Sequence, residues 1–238
     1  MLKGNTYKSL RGENVFRIEA LSDGVFAISV TLLIMSLEVP NSYEELKSIM
    51  WQFLPFSATV SIVFLIWWQQ SNFFRFYGIA DSKIKLLNLI LLVVVLFYVF
   101  PLKFLFSIIF YSVIGSDFLR LYSISIDYSI SKTDFPGLIA FFSIGYALVW
   151  LIFFLLYHHI KLNSKQLYLN EYQKIVLLSD RRDAFYQMII GFTASIVAGL
   201  KWITFSQIIF LTIPIWLLIN WYITSRKKAR YKKTLNEN

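Results

Sequence analysis

Residues Ile49 to Trp68 form a stretch of twenty without one formal charge. Wound as a helix, about twenty such residues span roughly 30 Å, the thickness of a bilayer's hydrocarbon core. A buried helix of a large soluble protein would show a polar face; this stretch and Trp202 to Ile223 have almost none. Lipid offers no partners to backbone N–H and C=O groups, so the expected fold is an all-α membrane protein. Six segments are expected to span, over about 17–37, 49–74, 83–111, 138–160, 182–200 and 202–224, within one domain covering 1–238.

Composition agrees. The chain is 57% hydrophobic and only 16% charged, too little polar surface for a soluble domain of 238 residues. Aromatics reach 18%, with seven Trp and fourteen Tyr to sit at the membrane–water boundary. No cysteine is present, which removes disulfides, thiol catalysis and thiolate metal sites. The first sixteen residues are polar and lack an apolar core, so the first segment is expected to be retained as a span. Pro101 is expected to kink or end the third segment. Gly199, Leu200 and Lys201 leave room only for a tight hairpin between the last two, and Ser179 is a candidate N-cap for the fifth. The Ser- and Tyr-rich stretch 112–136 reads equally as a loop or as a continuation of the third span. No internal repeat is visible.

Charge sets the orientation. With six spans, both termini share one side, which carries eighteen of the Lys and Arg residues, including Lys161, Lys165, Arg181, Arg182 and the run Arg226 to Lys233. The other side carries five: Lys47, Lys103, Arg120, Lys132 and Lys201. This places both termini in the cytoplasm and explains the net charge of +9 without a nucleic-acid partner. The run RKKARYKK reads as a juxtamembrane anchor toward anionic lipid. Glu38, Glu44 and Glu45 lie outside the first span and read as solvated loop charges, although they could also concentrate cations there.

No catalytic or cofactor signature is present: no nucleophile elbow, phosphate loop, HExxH or haem motif. His158 and His159 are adjacent, do not face one site on a helix, and read as interfacial residues rather than metal ligands. Neither an enzyme nor a cofactor or resident metal is expected. What remains is the few polar residues inside the spans, which in lipid are functional candidates by default. They are Glu19, Ser22, Asp23, Ser29 and Thr31 in the first segment, the end of WWQQSN in the second, Asn88 in the third, and Gln207 and Asn220 in the sixth.

The first segment, RIEALSDGVFAISVTLL, is the odd one. At about 100° per residue, Leu21, Gly24, Thr31, Leu32 and Met35 fall within about 60° of Ile28. They form one stripe, apolar except for Gly24 and a hydroxyl. Asp23 falls about 140° from Ile28, on the opposite side. A carboxylate cannot face lipid, so it must face a neighbouring helix.

These residues carry a resemblance. The stretch resembles the N-terminal signature of the endosomal and lysosomal transmembrane potassium channel family and its prokaryotic homologues. That signature reads Arg, three residues, Phe-Ser-Asp, then an apolar run commonly including Thr. Here it stands as Arg17, Leu21, Ser22 and Asp23, followed by Ile28 and Thr31, with Leu21 in place of the usual Phe. IWWQQSNFFR and DSKIKLLNLILLVVVLFYVFPLK resemble the family's second-span ending and third span. Gln69, Gln70 and Ser71 stand where prokaryotic members often carry His. The resemblance implies a homotetramer in a bacterial plasma membrane, with a central pore lined by the first helix and no TVGYG filter. It implies a leak-like potassium channel of moderate selectivity, with Ile28 as the hydrophobic constriction or gate. Thr31 would supply a hydroxyl ring, Leu32 and Met35 would continue the lining, and potassium would pass transiently by Ile28 and Thr31. Arg17, Ser22 and Asp23 would form a structural network behind the pore. Two other readings stay open: a proton-coupled secondary transporter using Asp23, and a non-conducting assembly subunit.

Overall fold

The computed structural model describes residues 15–35, 39–114 and 134–237. Among these, every regular element is a helix: α1 (Arg17–Met35), α2 (Tyr43–Tyr77), α3 (Ser82–Ile114), α4 (Phe135–Leu162), α5 (Glu171–Gly199), α6 (Ile203–Phe210) and α7 (Thr212–Glu237). Most of the ambiguous stretch 112–136, namely 115–133, lies outside the described residues, as does Glu38.

Among the described residues, five stretches are long and apolar enough to cross a bilayer: α1, α2, residues 82–99 of α3, α4, and residues 203–233 across α6 and α7. The stretch expected to span over 182–200 belongs to α5. That helix begins eleven residues earlier and is charged through Glu171, Lys174, Asp180, Arg181, Arg182 and Asp183.

Helix boundaries follow from local chemistry. Ser42 accepts from the Glu45 amide at 3.1 Å, and Glu45 returns a carboxylate to the Asn41 amide at 2.6 Å. This reciprocal cap starts α2 well before its apolar run, and Glu45 serves as a cap residue. Ser179 is not the N-cap of α5, because it lies inside the helix. The cap is Asn170, whose side chain accepts from Gln173 N at 2.7 Å while Gln173 accepts from Asn170 N at 3.1 Å. Pro101 does not end α3, which runs on to Ile114. Pro214, lacking an N–H, leaves the Phe210 carbonyl without its helical partner, and the single turn residue Leu211 separates α6 from α7. Leu211 keeps a helical backbone (φ −67, ψ −13), so 203–233 remains one apolar stretch.

The helices form two compact units. One holds α1, α2 as far as Phe74, and α3 from Leu92 onward. The other holds the α2–α3 turn, from Arg75 to Leu91, together with α4 to α7. In the second unit, α4 and α5 approach through small residues. Gly191 lies against Ala147 so closely that a Cβ on Gly191 would sit 2.7 Å from the Ala147 Cβ. Beside it the Ser195 hydroxyl donates to the Ala140 carbonyl at 3.0 Å, and Tyr146 donates to Gln187 at 2.5 Å. Without water to squeeze out, close approach and interhelical hydrogen bonds are what hold such a pair together. The hairpin from α5 to α6 closes with Lys201 in the left-handed region (φ 65). Trp202 N donates to Val197 O, and Lys201 N to Ala198 O, so the last α5 carbonyls are satisfied in a Schellman arrangement.

Candidate functional site

α1 starts on a cap from its own sequence: the Phe16 amide donates to the Glu19 carboxylate at 3.0 Å. Glu19 is therefore an end-of-helix residue. Beyond it the helix has two faces. Ser22, Phe26, Ser29 and Leu33, spaced four, three and four apart, are buried. The two serines spend their hydroxyls on their own backbone, Ser22 to Ile18 O at 2.7 Å and Ser29 to Val25 O at 2.8 Å. They act there as small, satisfied side chains.

The other face is open. Ile28 is 56% exposed and Met35 74%, and Leu21, Gly24, Thr31 and Leu32 are exposed with them. A Cβ added at Gly24 would meet nothing within 4 Å. Thr31 donates its hydroxyl proton to the Ala27 carbonyl at 2.9 Å. With its proton committed there, the Thr31 oxygen keeps lone pairs that can still accept. The stripe thus offers a branched apolar side chain, and one turn further an acceptor oxygen.

The exposed side of α1 is wider than this stripe and includes Ala27, Ile34 and Asp23, the last of which lies off the stripe. Asp23 Oδ1 accepts from the indole N–H of Trp67 on α2 at 2.7 Å. Trp67 belongs to the WWQQSN end of the second apolar segment, and Gln70, three residues on, is buried. Arg17 is exposed at the start of α1.

A second polar cluster, in the other unit, was not anticipated as a constellation. The Ser179 and Thr224 hydroxyls bond at 2.7 Å, and Asn220 Nδ2 donates to Ser179 Oγ at 3.1 Å. Arg182 Nε donates to Asn220 Oδ1 at 2.7 Å, and Trp216 donates to Asp183 at 2.9 Å. The Tyr186 ring stacks on Trp216 at 4.0 Å. α5 and α7 are thereby laced by side chains at positions 179, 182, 183 on one helix and 216, 220, 224 on the other. These three- and four-residue spacings, visible in SDRRD and in the Asn220–Thr224 pair, were the available signal. In the same unit, His159 Nε2 lies 2.6 Å from Asp81 Oδ2. The fold thus brings a carboxylate to His159 from 78 positions away. Partial burial pushes the Asp81 carboxyl up, but the Ile84 amide and His159 outweigh it and hold it below its usual range. Among the described residues no group of three or more His, Asp or Glu side chains could hold a metal ion.

Asp180 precedes the expected span 182–200. Burial pushes its carboxyl up to about 7, with the Asp183 charge adding to the effect, and Lys228 and a bond to Tyr77 opposing it. The folded chain thus holds this proton up to about pH 7, whereas an unfolded one releases it near the ordinary 3.8. Because the folded state binds more protons between those values, stability is expected to fall as pH rises from the ordinary carboxylate range through neutrality. Asp180→Asn should flatten that slope, as read from thermal unfolding midpoints in detergent across pH. An unchanged slope would remove Asp180 as its source.

Residues 17–98, which include α1 and its bond to α2, match the family model described as "Endosomal/lysosomal potassium channel TMEM175". A potassium channel of Marivirga tractuosa is 46% identical over 97 residues, covering 41% of this chain and 39% of that protein. A potassium channel of Chamaesiphon minutus is 32% identical over 93 residues, covering 36% of this chain and 46% of that one. The chain therefore spans less than half the length of the curated relatives it matches. Similarity of fold extends much further. A crystal structure of the potassium channel MtTMEM175, a threonine-to-alanine variant bound to a nanobody–MBP fusion, superposes with a TM-score of 0.78. It is 30% identical, and the match covers 93% of this chain and 98% of that one.

Proposed function

Because the chain belongs to the endosomal/lysosomal potassium channel TMEM175 family, we propose that it is a leak-like, moderately potassium-selective channel of a bacterial membrane. Its working form is a homotetramer of six-span subunits, both termini cytoplasmic, with α1 lining a central pore. The observation that carries this reading is the division of α1 into a buried face and an open stripe. Ile28, Thr31, Leu32 and Met35 are left without a cover in one subunit, as a pore-lining face must be.

The chemistry follows from those side chains. Four Ile28 side chains around an axis form a dry constriction, and an ion crossing it sheds part of its water shell. Potassium holds that shell less tightly than sodium and loses less. Thr31 oxygens, their protons committed to Ala27, replace some of the lost water. Flexible hydroxyls discriminate less sharply than a caged set of carbonyls, hence moderate selectivity. Asp23 acts from behind: tied to the Trp67 indole, it fixes the rotation of α1 and so the aim of Ile28.

The test is flux. Purified protein in liposomes should release potassium down its gradient, without ATP and without a proton gradient. Folded tetramers that do not conduct would overturn the proposal. Saturable flux that needs both a proton gradient and Asp23 would replace it with the transporter reading.

A further inference from the structure

We propose that the cytoplasmic end of α7 is a binding site for the headgroups of anionic phospholipids, built from Tyr222, Arg226 and Arg230. Its evidence is separate from that for the pore; only the choice of leaflet follows from the Lys and Arg asymmetry.

The basic residues of this helix are not equivalent in the structure. Lys228 turns inward, its ammonium 5.4 Å from the centre of the Tyr172 ring on α5. Arg226 turns back along the helix, its guanidinium carbon 4.4 Å above the Tyr222 ring. At about 100° per residue, Tyr222, Arg226 and Arg230 fall in an arc of about 80° that also takes in Lys233, one turn beyond Arg230, and all four are exposed. Lys232 lies about 120° from Arg226 on the other side of the helix.

The level along the helix is set by its aromatic residues. Leu218 and Trp221 are 67% and 68% exposed, and Tyr222 is 50%. An exposed apolar surface ending in Trp and Tyr marks where acyl chains give way to headgroups. Folding Arg226 back over Tyr222 returns a guanidinium to that level. Arg230 lies about 6 Å further along the axis on the same side, within a side chain's length of that level. A guanidinium offers paired donors to phosphate oxygens. Charge complementarity selects a phospholipid of net negative charge such as phosphatidylglycerol. A zwitterionic headgroup brings its own cation and gains little.

The experiment uses the full chain, delipidated in detergent, titrated with dioleoyl phosphatidylglycerol or dioleoyl phosphatidylcholine. The readouts are the thermal unfolding midpoint and the count of lipids retained in native mass spectrometry. Phosphatidylglycerol should raise the midpoint and be retained, and phosphatidylcholine should do neither. Arg226→Gln and Arg230→Gln should each weaken the apparent affinity about fivefold. Tyr222→Leu, which keeps every charge but removes the ring under Arg226, should weaken it too, while Lys232→Gln should not. Equal response to both lipids, or a wild-type titration by the Arg226→Gln/Arg230→Gln double variant, overturns the site. A full shift from water-soluble glycerol phosphate alone also overturns it, as a soluble-anion site. A chain that fails to conduct potassium can still bind phosphatidylglycerol, and the reverse, so the two proposals fail separately.

Discussion

Ile28→Asn in liposomes is expected to raise cation flux about tenfold and to bring sodium permeation close to that of potassium, a change of roughly 1.4 kcal/mol in the barrier. The amide has the same number of side-chain heavy atoms and is smaller, and it offers oxygen and nitrogen where the isoleucine offers only carbon. Water then stays in the constriction, ions cross with more of their shell, and the difference in dehydration cost that favours potassium shrinks. Thr31→Ala should separate the two contributions. It removes the acceptor oxygen and leaves the dry ring, so selectivity falls without the rise in flux. Both side chains belong to the open face of α1, so neither substitution disturbs the buried serine and phenylalanine stripe. Permeability ratios unchanged in both variants would take these residues out of the selectivity step.

The same face was legible in the sequence because it depends on helical periodicity alone. Once α1 is a helix, Ile28, Thr31 and Met35 share a side whatever the rest of the chain does. Asp23 was legible only by exclusion: it had to avoid lipid, but nothing in the sequence names Trp67, 44 residues on, as the donor it finds. His159 shows the limit more sharply. Its partner Asp81 sits in a turn 78 positions away, and no local pattern joins them. Boundaries failed where a polar residue had two possible roles. Ser179 looks like a cap before an apolar run, yet it bonds Thr224 from inside α5. Asn170 and Gln173 outcompete it, because they supply a reciprocal pair of backbone bonds that a lone serine does not. The two prolines differ in degree: α3 runs unbroken past Pro101, whereas one turn residue, Leu211, interrupts the helix just before Pro214.

Gly191→Ala is expected to cost about 1–3 kcal/mol, and Gly191→Leu to leave no monodisperse protein in detergent. The reason lies in what the new Cβ meets. It would sit 2.7 Å from the Cβ of Ala147, 2.8 Å from its N and 2.9 Å from its Cα. Two of those three atoms are backbone, so no side-chain rotation relieves the contact and α4 must move away. Moving it stretches the bonds from Ser195 to Ala140 and from Tyr146 to Gln187, which need the present spacing. For the same reason Ala147→Gly should rescue Gly191→Ala only in part: it deletes one of the three collisions. Gly199→Ala is the control on the same helix, since nothing lies within 4 Å of its added Cβ. It should be neutral or gain up to about 1 kcal/mol from the lost flexibility of glycine. Size-exclusion profiles and thermal midpoints of the four variants separate a steric cause from a general intolerance of α5 to substitution. If Gly199→Ala is as damaging as Gly191→Ala, close packing against Ala147 is not what the glycine at 191 provides.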